Sequence, residues 1–291
     1  MLILSRPWDS QPPPGTGLNL SNPPAARITH FLPLNGDPRE LVTGARLTYG
    51  SGGTNVATNR GIALQGSGSA ARASIPIDLS PYTSATVSFW MYWDAYANDD
   101  KLAMEYGANY ATNSGFLIDP NSGAPASGLF QAGVGSTGAP NAVSMARPSA
   151  AAWHHYAFLF DRTTGTGLST AIYVDGALQS VSAAGTSNNT ADNFGNNNLY
   201  LLSRAGTSLY GAGKLQNLAI RGGYLMTVAE VLQEYQEPWQ LFEPQSKFVI
   251  PASAAAPAGS TITTAQLPAG LGYMGGGQSK SILPAGLGYM G

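Results

Sequence analysis

Hydrophobic residues in this chain recur mostly at every second position. Across residues 85–93, Val87, Phe89, Met91 and Trp93 share one face of an extended strand, and Trp90 and Tyr92 lie on the other. Residues 156–160 repeat the pattern with Tyr156, Phe158 and Phe160. Residues 171–181 read as two strands around Asp175-Gly176. Both central residues of a type I′ turn need φ > 0, which Asp-Gly accepts at little cost, so a hairpin is predicted there. Further short apolar segments lie at 61–64, 115–118, 199–202 and 215–220, separated by loops rich in Gly, Ser and Asn. This pattern predicts an all-β fold, an antiparallel sandwich or jelly roll.

One segment follows a period of 3.6 instead. Thr227 stands three residues before Glu230, the spacing of a capping box. Val228, Val231, Leu232 and Tyr235 then fall at i, i+3, i+4 and i+7, and Pro238 ends the run. A short C-terminal helix lying as a lid on the sandwich is predicted.

The flanks differ in kind. Residues 1–26 carry Pro12, Pro13, Pro14, Pro23 and Pro24. Proline fixes φ and lacks an amide proton, so an extended arm without helix or central strand is predicted, with a disordered terminus as the other reading. The organisation read from the sequence is arm 1–26, jelly roll 27–245, and linker with tail 246–291. In the tail, Leu-Pro-Ala-Gly-Leu-Gly-Tyr-Met-Gly occurs at 267–275 and again, letter for letter, at 283–291. Two copies are too few for a solenoid. Each is uncharged, too apolar to favour water and too short to build a core. The copies read as peptide anchors, with Leu267, Leu271, Tyr273 and Met274, and then Leu283, Leu287, Tyr289 and Met290, entering grooves of a partner. The 16-residue offset spans at most about 53–58 Å, and linked anchors raise effective affinity. Packing of the repeat on its own domain, or drift by duplication, are the alternatives.

Composition narrows the function classes. The chain has 291 residues, 14 Lys+Arg against 16 Asp+Glu and no cysteine. Only 10% of residues are charged, against about 25% in an average soluble protein. A net charge of −2 provides no polybasic stripe, so nucleic acid is not an expected partner. Lack of cysteine removes disulfides, thiolate-bound zinc and a thiol nucleophile. His154 and His155 are adjacent on a strand, hence on opposite faces, and cannot chelate one ion together. No apolar run approaches the ~20 residues of a membrane-spanning helix, and the first seven residues are too polar for a signal-peptide core. Synthesis in a cytoplasm without an export signal is expected. The low charge and 36 glycines nonetheless suit a passive surface protein better than a metabolic enzyme.

Five motifs stand in a telling order: Ser88-Phe89-Trp90, Trp153-His154-His155-Tyr156-Ala157-Phe158, Ile172-Tyr173-Val174-Asp175-Gly176, residues 214–220, and the helix from Met226. Together they resemble a laminin-G-like (concanavalin A-like) jelly roll over roughly residues 27–235. The family includes glycoside hydrolases, which commonly place their acids as Glu-x-Asp-x-x-Glu on one strand. That spacing does not occur here; Glu105 stands alone, and Asp99-Asp100 sit in a loop. No enzyme activity and no cofactor are expected. The resemblance also implies calcium or sugar at a rim. Candidate oxygens are Asp119 and Asn121, or Asn188, Asn189, Asp192, Asn193 and the run Asn196-Asn197-Asn198. One acid per loop is thin for a cation wanting six to eight oxygens. Trp90 and Tyr92 would form a glycan platform if exposed, and a second core layer if covered.

The flanks Ser5-Arg6-Pro7-Trp8 and Pro238-Trp239-Gln240-Leu241-Phe242 are similar to those of tailed-bacteriophage proteins carrying this domain. That likeness implies a non-enzymatic virion structural protein, a head decoration or tail-associated part made in the host cytoplasm. Its expected partners are other virion proteins, bound through the repeats and the N-terminal arm, and host-surface glycans. Neither membrane nor nucleic acid is expected, and repeated attachment sites suit a homo-oligomer. The alternative is a carbohydrate-binding adhesin or receptor-binding protein whose lectin activity is the main function.

Overall fold

Alternation of apolar and polar residues, cut by positive-φ turn residues, dictates a chain of short strands. The computed structural model describes residues 5–6, 8–51, 53–70, 73–111, 114–123, 128–135, 141–163, 170–184 and 192–246. The eight anchor residues of the repeats, and Asn188 and Asn189, lie outside them. In chain order the elements begin with β1 (Ser5–Arg6), α1 (Pro23–Ala26), β2 (His30–Leu32), β3 (Thr48–Tyr49), β4 (Thr54–Thr58), β5 (Gly61–Gln65) and β6 (Ala73–Asp78). Next come β7 (Ser84–Trp93), β8 (Met104–Tyr106), β9 (Phe116–Asp119), β10 (Phe130–Val134), β11 (Asn141–Met145), β12 (Trp153–Asp161) and β13 (Thr170–Val174). The last are β14 (Ala177–Leu178), β15 (Ser182–Ala183), β16 (Asn196–Leu201), β17 (Gly213–Gly222), α2 (Val228–Gln236) and β18 (Gln245–Ser246).

Two antiparallel sheets result. One runs β15-β11-β10-β9-β8-β16-β6-β3, the other β14-β13-β12-β7-β17-β5-β4, with β2 also on β17. Their facing surfaces form the core: Val87, Phe89, Met91 and Trp93 from β7 and Tyr156, Phe158 and Phe160 from β12 meet Ile75, Phe116, Ile118 and Phe130. Aromatic rings cross the interface, with Phe116 on Phe160 at 5.0 Å and Phe130 on Tyr156 at 5.3 Å between centroids. The Asp175-Gly176 turn closes the β13–β14 hairpin with φ of 50° and 81°, as its type I′ chemistry requires.

The second sheet is buried on its outer face as well, by α2 and by the polypeptide on either side of the sandwich. α2 has the full capping box between Thr227 and Glu230. Its buried residues differ from the predicted stripe. Val228 and Leu232 are exposed, while Val231 and Glu234 face the sheet. The reason is electrostatic: Arg221 on β17 is fully buried and holds the Glu234 carboxylate, which also accepts from Ser88 Oγ at 2.6 Å.

The proline-rich lead is no free arm. Pro23 and Pro24 open a single helical turn, α1, because the first helical positions need no amide donor. Leu18 and Ala25 pack with Ile28, Phe31, Trp239, Leu241 and Phe242 in a second cluster. Gln11 bonds both backbone groups of Ile62, and Trp8 Nε1 donates to the Glu243 carbonyl at 2.7 Å. Residues 8–22 therefore form a strap across the sandwich. β1 pairs with β18, so the chain enters and leaves the domain side by side. Among the described residues no helix is long and apolar enough to cross a membrane.

Candidate functional site

The outer face of β7 carries Trp90 and Tyr92, and the strands beside it bring in further aromatics. Trp90 is 6% exposed. Tyr235 of α2 stacks on it at 5.8 Å, and the Arg60 guanidinium lies 3.4 Å above its ring. Trp90 thus takes the covered arrangement, as part of an outer core layer, and offers no open face for a sugar. Tyr92 is half-buried, with Trp153 at 5.8 Å and the Lys214 ammonium 4.2 Å from its ring.

Arg60 is the unusual member. It sits at the tip of the β4–β5 hairpin, where Gly61 adopts φ +107° against Gln11 of the strap. Besides Trp90, its guanidinium lies 5.5 Å from the Trp239 ring and 6.0 Å from Trp153. Its Nε and Nη2 are buried without a hydrogen-bond partner among the described residues. Burial pulls its pKa down to about 10, so it stays protonated at neutral pH. A cleft of about 420 Å³ opens beside it, lined by Asp9, Ser10, Gln11, Asn59, Ile62 and Trp239 as well as Arg60. A second hollow of about 380 Å³ shares Asp9 and Trp239 with it and reaches Trp8 and Glu237. Sequence reading placed residues 8–11 in the partner-binding arm and Trp239 in the C-terminal flank, and assigned none of these residues to a cleft. The available signal was an arginine at a turn tip in a chain with only 14 basic residues.

His154 and His155 do point to opposite sides of β12. His155 is fully buried beneath α2, with Nε2 3.6 Å from Glu234. His154 Nδ1 stands 2.7 Å from Asp175 Oδ2, and its Nε2 is 2.9 Å from Ser149 Oγ and 3.2 Å from the Ser149 carbonyl. The order Ser–His–Asp is that of a nucleophile relay. Hydrogen bonding to Asp175 raises the His154 pKa, as an orienting carboxylate does. The Asp175 carboxylate also accepts from the His155 N–H at 2.8 Å, so the trio pins the β13–β14 hairpin to β12.

The predicted cation oxygens are engaged by the protein. Asp119 Oδ1 accepts from the N–H groups of Asn121 and Lys101, and Asn121 Oδ1 accepts from Trp93 Nε1 and the Ala97 N–H. Burial pushes the Asp119 carboxyl up to about 7, with the Asp100 carboxylate adding to the effect. Asp192 pairs with the buried Arg162, and Asn193 donates to the Ser80 carbonyl. Asn196, Asn197 and Asn198 lie on β16. Among the described residues no group of three or more His, Cys, Asp or Glu is placed to hold a metal ion. Glu105 is fully buried and paired with Arg204 at 3.2 Å.

Sheet order, the aromatic double-sided β7 and the α2 lid define a lectin-like jelly roll. Residues 65–231, more than half of the chain, match the family described as the concanavalin A-like lectin/glucanases superfamily, Laminin_G_3, and the chain belongs to that family. A search of curated proteins by sequence finds no match. Solved structures share the fold at low identity. The binding domain of botulinum neurotoxin serotype G superposes with a TM-score of 0.52 at 14% identity, covering 72% of this chain and 50% of that one. Domain 4 of AbnA, a GH43 extracellular arabinanase from Geobacillus stearothermophilus in complex with arabinotriose, gives 0.51 at 16%, covering 71% and 97%. Trypanosoma rangeli sialidase gives 0.50 at 13%, covering 72% and 32%. The chain spans about half the length of the neurotoxin binding domains it matches. These neighbours include binding domains and parts of enzymes.

Proposed function

We propose that this chain is a non-enzymatic structural protein of a tailed-bacteriophage virion that displays a saccharide-recognising jelly roll outward. The observation behind the display reading is the pairing of β1 with β18, which brings residues 5–6 and 245–246 side by side. A domain tethered near that pair keeps its other surfaces free. The repeat, with its Leu, Tyr and Met knobs, supplies the chemistry of attachment. Support for saccharide recognition is the family fold, together with neighbours that include a domain solved with arabinotriose and toxin binding domains.

The test is an image of the native particle in which this chain is located by its density. Tail copies seated in equivalent grooves of neighbouring subunits are expected, and particles carrying a chain truncated after residue 250 should lack the jelly roll. Absence of the chain from the particle would overturn the virion assignment. The cleft beside Arg60, walled by Trp239, favours the second reading, an adhesin or receptor-binding protein whose main role is binding. Particles assembled without the chain separate the two. A structural part leaves them malformed or fragile, whereas an adhesin leaves them intact but unable to adsorb.

A further inference from the structure

We infer that the cleft between the N-terminal strap and the β4–β5 turn binds a carboxylate-bearing saccharide, with Arg60 as the group that receives the carboxylate. This rests on the saccharide-recognition reading and goes further, by naming the place and the ligand charge. The first argument is one of unmet need. Buried donors in folded proteins are nearly always satisfied, yet Arg60 Nε and Nη2 are closed off over the Trp90 ring without an acceptor. Arg60 forms no ion pair within the described residues. The Asp175 carboxylate whose field reaches it is already held by His154 and the His155 N–H. The indole faces of Trp90, Trp239 and Trp153 offset part of its charge, but a partly desolvated cation without a counter-ion still costs stability. Arg60 Nη1 is the one side-chain nitrogen outside the buried set.

The second argument is shape. The cleft of about 420 Å³ falls in the range of small-molecule sites, and the adjoining hollow of about 380 Å³ continues it past Trp239. Two hollows sharing one indole wall suit a ligand of two rings. The polar lining then sets its orientation. Asn59 and Ser10, exposed at the rim, exchange hydrogen bonds with its hydroxyl groups. Hydroxyl groups alone would leave the Arg60 charge uncompensated, whereas a carboxylate neutralises it through a charge-assisted bond.

The experiment titrates the full chain with digalacturonate and 3′-sialyllactose, and in parallel with digalactose and lactose, following tryptophan fluorescence and calorimetric heat. Binding of at least one acidic sugar, about tenfold or more tighter than its neutral counterpart, is expected. Arg60→Met keeps the aliphatic stem over Trp90 but removes the charge. It should abolish that preference while leaving the melting temperature equal or higher. A residue kept for stability alone would lower it. Should the variant not fold, salt decides: acidic-ligand affinity of the unmodified chain must fall with ionic strength. Neutral sugars binding as well as acidic ones, or a preference untouched by Arg60→Met or by salt, would overturn this inference alone. Failure of all four sugars to bind would overturn it together with the saccharide reading.

Discussion

Replacing Asp119 by Asn should stabilise this protein above neutral pH and do nothing for it in acid. The carboxyl is 2% exposed, and burial raises its pKa from the ordinary 3.8 to about 7. Between those two values the unfolded chain has released the proton that the folded state keeps. The unfolded state therefore binds fewer protons there, and stability falls as pH rises. At about 1.4 kcal/mol per pH unit, ionising Asp119 in the fold costs about 4 kcal/mol by pH 8. Asparagine preserves the shape and the Oδ1 acceptor for the Asn121 and Lys101 N–H groups. Its amide donors face the neighbouring Asp100 carboxylate, whose charge raises Asp119 in the native protein. Urea denaturation of both proteins from pH 4 to pH 9 measures the difference. The expected gain is near zero at pH 4, grows to about 2–4 kcal/mol by pH 8 and then levels off. A gain of the same size at both ends, or none at pH 8, would refute the burial argument.

Four proton-, charge- or backbone-linked consequences accompany it. Glu234→Gln leaves the buried Arg221 charge against a neutral amide and should cost about 3–5 kcal/mol at pH 7. An Arg221→Met/Glu234→Leu double variant should recover most of that loss, and a single-variant loss below about 1 kcal/mol would contradict it. Burial opposes Glu234 ionisation, but Arg221, His155 and Ser88 outweigh it and hold the pKa at about 2. Its contribution is therefore full above the usual carboxylate pKa and drains away as pH falls toward 2. Asp175→Asn should lower the His154 pKa in an NMR titration; the stabilisation lost is the part present below about pH 6.5 and absent in alkali, so a pH-independent loss would count against the pairing. Gly61→Ala drives a methyl into Gln11 Oε1 at φ +107° and should cost more than about 1 kcal/mol, with faster proteolysis in the strap; unchanged melting and cleavage would refute the close approach.

What the sequence revealed was whatever follows from local rules. Alternation found β7 and β12, Asp175-Gly176 announced its own turn, and Thr227 with Glu230 marked the start of α2. Those signals act within a few residues. The features it hid depend on partners far along the chain. Glu234 reads as a surface acid until Arg221 and Ser88 are seen beneath it. Trp90 could have been a platform or a core residue, and only Arg60 and Tyr235, contributed by a distant hairpin and the helix, decide between them. The cleft was invisible for the same reason. Its walls come from residues 9–11, 59–62 and 239, brought together by a strap that proline content alone made look extended.

That strap also moves the working boundary of the domain, which can be tested by truncation. A chain beginning at Arg27 and ending at Ser246 keeps every strand of both large sheets, but loses Leu18 and Ala25 from the cluster around Phe31, Trp239 and Phe242. Leu18 bridges to Phe242, so removing it uncovers apolar surface on both. Leu18 takes with it about 1.5–3 kcal/mol of burial, and Trp239 and Phe242, each worth about 1.5–3 kcal/mol when covered, lose part of theirs. The hydrogen bonds of Trp8 to Glu243, Gln11 to Ile62 and Asn22 to Gln240 go with them. Single domains hold only about 5–15 kcal/mol in total, so the shorter fragment should be insoluble or melt far below one spanning residues 8–246. If the two fragments melt within a few degrees of each other, the strap is an ornament, and the cleft it walls has no rigid side against which a ligand could be held.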